Sequence, residues 1–129
     1  MPKAAGSERD PLTNSILGAA IEVHRHLGPG LLESIYDACL AWELRARDIR
    51  IERQVPVPVM YKGLQVPLAY RLDLVVEQSV IVEVKAVERL HPLVDAQVLT
   101  YLRLMGMRTA LILNFNVGLL RDGVRRLVL

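Results

Sequence analysis

The stretch from Leu72 to Lys85 constrains this chain most. Outside the segment Glu77-Gln78-Ser79, its even-numbered residues Leu72, Leu74, Val76, Val80, Val82 and Val84 are all apolar, while odd positions carry Asp73, Glu83 and Lys85. Period two marks strands with a covered face. Glu77-Gln78-Ser79 interrupts the run and makes it a hairpin. For Leu72, Leu74, Val82 and Val84 to share one buried face, even residues must pair with even. A three-residue loop centred on Gln78 does this by setting Val76 opposite Val80. The same register sets Asp73 opposite Glu83, with Cβ atoms roughly 4.5–5.5 Å apart. A slip of one residue would turn one strand's apolar set into water.

The flanking sequence predicts helices packed on a mixed sheet. Ile16, Leu17, Ala20, Val23 and Leu27 recur at helical spacing, so a first helix is expected from Thr13 or Asn14, either of which can cap it, to about Leu27. Gly28-Pro29-Gly30 stops it. A second helix is expected from Leu31 to Arg47, with Arg45 and Arg47 at the negative end of its dipole. Ile51 to Val59 alternates as a strand, and Pro56 and Pro58 confine it to an edge or an irregular course. Lys62-Gly63 marks a turn. A third helix is expected from Pro92 or Leu93 to Met105, before Gly106. Arg108 to Phe115 reads as a central strand, apolar on both faces, and Val124 to Leu129 as a last strand after a turn at Asp122-Gly123. The order is ααβββαββ. Residues 1–11 show no periodicity and read as a flexible tail, and 12–129 as one domain.

Composition narrows the function classes. An apolar content of 52% across 129 residues supplies a core and excludes global disorder. A net charge of +2 gives no whole-molecule field toward nucleic acid or membrane, so any polyanion site must be a local patch. Aromatic residues are only 5%, which argues against base stacking as the main mode of binding. The lone Cys39 excludes an intrachain disulfide and a Cys-rich zinc site. No run approaches the roughly 20 apolar residues that cross a bilayer, and no signal peptide is expected before the first helix. A cytoplasmic location is expected.

Three arrangements of the carboxylates stay open on the residues alone. Asp73, Glu83 and Lys85 can form a solvated strand face with an ion pair, the common fate of an arbitrary E-x-K. One carboxylate can be held protonated against the other. Or a divalent cation can sit between them, where hard oxygen ligands select Mg2+ or Mn2+ and Lys85 faces a phosphate or the attacking water. Glu33 falls in the first turn of the second helix, where the helix dipole favours an acid, and shares a stripe with Tyr36, Leu40 and Leu44. Gln97 and Tyr101 stand at i and i+4 on the third helix. Each has an ordinary structural explanation. The arginines 45, 47, 50 and 53, and 121, 125 and 126, suit a solvated surface at least as well as a nucleic-acid path.

Taken together, these segments resemble a known group. Gly30, Glu33 and Tyr36 spell G-x-x-E-x-x-Y, the signature of the GxxExxY family. The resemblance runs from about Ile16 to Leu129 and includes Glu52–Val59, Tyr61-Lys62-Gly63, Tyr70–Leu74, Val82–Val87, Gln97–Leu102 and Asn114-Phe115-Asn116. That family is similar to the PD-(D/E)XK nuclease superfamily, so the resemblance implies a restriction-endonuclease-like α/β (α+β) fold with an αβββαβ core. It also implies a Mg2+-dependent nuclease. Asp73, Glu83 and the Val84 carbonyl would bind the metal, with Glu33 as an outer or second-metal ligand. Lys85 would serve the nucleophile or the phosphate, Gln97 would orient water, and Tyr36 and Tyr101 would be accessory. Leu72 stands where the superfamily's name has a proline, a position often replaced. Nucleic acid is the implied partner, DNA ahead of RNA, and a homodimer is expected by analogy. The alternative function is a catalytically silent module of this fold that binds nucleic acid or a protein. A purely structural oligomer is a third, supported only by the apolar content.

Overall fold

The computed structural model describes residues 10–67 and 70–129. The tail expected over 1–11 falls mostly outside these residues. Its last two belong to the first helix: Asp10 caps α1 (Pro11–Leu27) by accepting from the Leu12 N–H at 3.2 Å and from the Thr13 hydroxyl at 2.8 Å. The start expected at Thr13 or Asn14 is therefore corrected. Proline's fixed φ and missing N–H suit the first helical position, and an acid suits the cap before it. Helix α2 spans Glu33–Ala46. No helix among the described residues is long and apolar enough to cross a membrane.

The strands are β1 (Ile51–Pro56), β2 (Met60–Tyr61), β3 (Leu64–Gln65), β4 (Arg71–Val76), β5 (Val80–Lys85), β6 (Thr109–Asn114) and β7 (Val124–Val128), with α3 (Val94–Met105) between β5 and β6. Five strands form one sheet in the order β1-β4-β5-β6-β7, in which only β5 and β6 run parallel. This is the mixed α+β sheet the sequence predicts, with β1 at an edge and β6 inside. Among the described residues, strands β2 and β3 pair only with each other, around the Lys62-Gly63 turn. The sequence marked that turn but not its strands.

Helices α1 and α2 cover one sheet face and α3 covers the other. Leu74, Val76, Val80, Val82 and Val84 pack with Ile16, Ala20, Leu40 and Leu44, whereas Val75, Ile81 and Ile112 pack with Val98 and Leu102. Odd positions of the hairpin are thus buried too. One expectation fails here. Leu72 joins the α3 cluster, opposite to Leu74 two residues on. Its partner Val55 does the same, although Ile51 on the same strand packs toward α1 and α2. Between Arg53 and Val55, Gln54 has a left-handed φ of 54°, rare for a non-glycine strand residue. The paired strands turn over together at Gln54 and Asp73, and strict alternation cannot reveal such a step.

Candidate metal and phosphodiester site

The hairpin register is as expected: Val76 faces Val80, Val75 faces Ile81 and Leu74 faces Val82. Backbone pairing of β4 with β5 stops there. Continuing it would set Leu72 opposite Val84, but the Val84 N–H donates instead to Asp73 Oδ2 at 2.8 Å. In return the Asp73 N–H donates to Glu83 Oε2 at 3.0 Å. The two carboxylates therefore replace ladder hydrogen bonds where the strands part. A strand residue's N–H and C=O point the same way across an antiparallel ladder, so the Val84 carbonyl also lies toward β4.

Glu83 is only 1% exposed, an unusual place for a carboxylate. Its Oε1 accepts from the Tyr70 hydroxyl at 2.7 Å, and the Tyr70 ring stacks on Tyr101 of α3 with centroids 4.5 Å apart. Burial, and then the charge of Asp73, push the Glu83 carboxyl up to about 7, against the stabilising Asp73 N–H, Tyr70 hydroxyl and Lys85 ammonium. Burial raises Asp73 as well. The Val84 N–H opposes that rise, the charges of Asp37 and Glu33 add to it, and Lys85 opposes it. Tyr70 is raised by burial and by its bond to Glu83, and Tyr101 by burial and by the charge of Glu83. The site is short of positive charge.

Lys85 is half-buried at the end of β5, opposite Asn114. The Asn114 amide holds the chain beyond it, accepting from the Val87 N–H at 3.1 Å and donating to the Val87 carbonyl at 2.9 Å. The Lys85 ammonium makes no ion pair or hydrogen bond among the described residues.

The other expected residues divide. Glu33 opens α2 and is exposed, so the packed side anticipated for it is corrected, though its charge still reaches Asp73. Tyr36 is fully buried against Phe115, with rings 4.7 Å apart. Its hydroxyl donates to the Gly28 carbonyl and accepts from the Leu31 N–H, so it shapes the turn before α2 and is not directed at the carboxylates. Tyr101 reaches Glu83 through Tyr70. Gln97 is exposed one turn earlier, with no hydrogen bond from its side chain to either carboxylate.

Two participants were not singled out. Tyr70 looked like an ordinary strand residue. Asp37, one turn after Glu33, is 9% exposed and raises the Asp73 carboxyl more than Glu33 does. Its Oδ2 lies 3.5 Å from the Arg53 guanidinium, and its Oδ1 is buried without a hydrogen-bond partner among the described residues. The i, i+4 spacing of Glu33 and Asp37 was the available signal.

A divalent ion fits this donor set in a limited way. Among the described residues no three His, Cys, Asp or Glu side chains converge to hold a metal by themselves. Magnesium asks for less, since one or two carboxylates suffice when water and phosphate oxygens complete its octahedron. Each carboxylate oxygen has two acceptor positions, so those already hydrogen-bonded keep capacity for an ion.

A family model described as the PD-(D/E)XK nuclease superfamily matches residues 10–127. That description does not single out the narrower GxxExxY group. No curated protein and no solved structure matches the chain.

Proposed function

The chain belongs to the PD-(D/E)XK nuclease superfamily, and from that premise we propose that it is a Mg2+- or Mn2+-dependent nuclease hydrolysing nucleic-acid phosphodiester bonds. DNA ahead of RNA as substrate, a cytoplasmic setting, a homodimer, a single domain over 12–129 and kinship to the GxxExxY proteins through Gly30, Glu33 and Tyr36 belong to the same proposal. The observation that carries it is the carboxylate pair, half-buried Asp73 and buried Glu83, that replaces backbone pairing where β4 and β5 separate. Two acids drawn out of water and raised together are costly in isolation, and a dication offsets that cost.

Asp73 and Glu83 would hold the ion, with the Val84 carbonyl beside them and Glu33 as an outer acid. A bound Mg2+ acidifies a water and stabilises charge developing on phosphate oxygen. Tyr70 and the Asp73 N–H hold Glu83 in one orientation, which keeps its oxygens aimed during turnover. Lys85, free of an ion pair among the described residues, positions the attacking water or neutralises a non-bridging phosphate oxygen. Gln97, exposed one turn before Tyr101, orients water or substrate.

The test is cleavage of single- and double-stranded DNA and RNA with Mg2+ or Mn2+, against Glu83→Gln and Lys85→Ala. Wild type should cut at least one substrate, and both variants should lose about 100-fold or more. Equal activity of wild type and Glu83→Gln would refute the assignment.

A further inference from the structure

The ribbon formed by β1 and β4 does not end where the sheet ends. The Val57 N–H donates to the Tyr70 carbonyl at 2.8 Å, and the Val66 N–H to the Val59 carbonyl at 2.9 Å, which leads into the β2–β3 hairpin. The end of β1, the start of β4 and the end of β5 lie at one edge of the sheet, because β4 runs antiparallel to both neighbours. That edge carries Asp73, Glu83 and Lys85. The hairpin therefore projects from the site's own end. At roughly 3.3 Å per residue, Tyr61 stands up to about 17 Å beyond Pro56.

The arm's composition is unlike the rest of the chain. Between Glu52 and Asp73 there is no acidic residue, while Arg53, Lys62 and Arg71 are basic. Met60, Tyr61 and Leu64 are exposed by 61%, 61% and 59%, a large apolar surface for a structure of two-residue strands. Tyr61 pairs with Leu64 and so shares a face with it, and the Lys62 ammonium lies 5.4 Å from the Tyr61 ring centroid. An aromatic face with a lysine against it, on an arm free of acids, matches an unpaired nucleotide, whose base stacks and whose phosphate pairs with lysine. A protein partner or a second copy would use the apolar surface but gives no reason for the absence of acids.

We propose that the β2–β3 hairpin is a single-strand-gripping arm: Tyr61 stacks on an unpaired base and Lys62 holds its phosphate, which makes nucleic acid with an unpaired flank the preferred substrate class. This deepens the proposed function and rests on it. Few aromatic residues serve the whole chain, yet Tyr70, stacked on Tyr101, stands at the base of the arm that carries Tyr61.

Fluorescence anisotropy with labelled single-stranded, blunt-duplex and 3′-tailed DNA in Ca2+ buffer tests the arm, using the full chain as wild type, Tyr61→Ala, Tyr61→Trp and Lys62→Gln. Mg2+ cleavage is measured in parallel. Wild type should prefer single-stranded and tailed DNA. Tyr61→Ala should weaken that binding about tenfold and erase the preference, while Tyr61→Trp keeps it. Lys62→Gln should reduce the slope of log affinity against log salt by about 0.7. Tyr61→Ala binding as tightly as wild type overturns the arm, even if cleavage is intact. So does a change in oligomeric mass by light scattering without a change in DNA affinity. Tyr61-dependent binding without any cleavage upholds the arm and overturns the hydrolase.

Discussion

Metal-free protein should become less stable as pH rises from 5 to 8, and Glu83→Gln should remove most of that loss. The folded-state pKa of Glu83 is about 7, against 4.5 for the free side chain. Between those values the folded state holds more protons than the unfolded one, so stability falls with rising pH. The full difference of 2.5 pH units corresponds to about 3 kcal/mol, and the part released between pH 5 and 8 to about 2.5 kcal/mol. Asp73 is raised as well and contributes with the same sign. Against a typical total of about 5–15 kcal/mol this is a large fraction, equivalent to a fall of roughly 10 °C in Tm. Urea unfolding in EDTA at several pH values measures it. Glutamine can still accept from the Asp73 N–H and meet the Tyr70 hydroxyl, so the variant should fold and should exceed wild type in stability at pH 8. Flat or rising wild-type stability across this range, or an unchanged slope in Glu83→Gln, would show that Glu83 does not carry the raised carboxyl.

Two further substitutions probe the supports of the site. Tyr70→Phe removes the hydroxyl that fixes Glu83, so Mn2+ affinity by calorimetry should fall about tenfold while far-UV circular dichroism is unchanged. A Cβ on Gly123 would lie 2.1 Å from the Asn114 carbonyl oxygen, so Gly123→Ala should cost about 3 kcal/mol in urea unfolding and disturb the strand that anchors the chain beyond Lys85.

The hairpin of β4 and β5 was legible because a two-residue period tolerates only one register when apolar residues must be covered. That logic set Asp73 opposite Glu83 without any structural information. It failed one residue away, at Leu72, because the left-handed turn at Gln54 belongs to another strand and is made by a residue with no special tendency toward it. Asp37 was missed because its burial depends on where α2 meets β1, and a helical stripe cannot show that Arg53 lies across from it. The same holds for Tyr70, whose bond to Glu83 spans 13 positions in the chain. Glu33 was visible as an acid at a helix start, but its exposure is a property of the packed helix. The β2–β3 arm was seen only as a turn, since strands of two residues are too short to generate a pattern.

The proposed nuclease requires Asp73 and Glu83 to hold a divalent ion together. Calorimetric titration of metal-free protein with Mn2+, in buffers of differing ionisation enthalpy, tests it most directly. At pH 6 the Glu83 carboxyl is mostly protonated, so binding should release about 0.9 proton from it, and near pH 8.5 almost none. Asp73→Asn should abolish the heat. Binding that releases no proton at pH 6, or that persists unchanged in Asp73→Asn, would contradict the account.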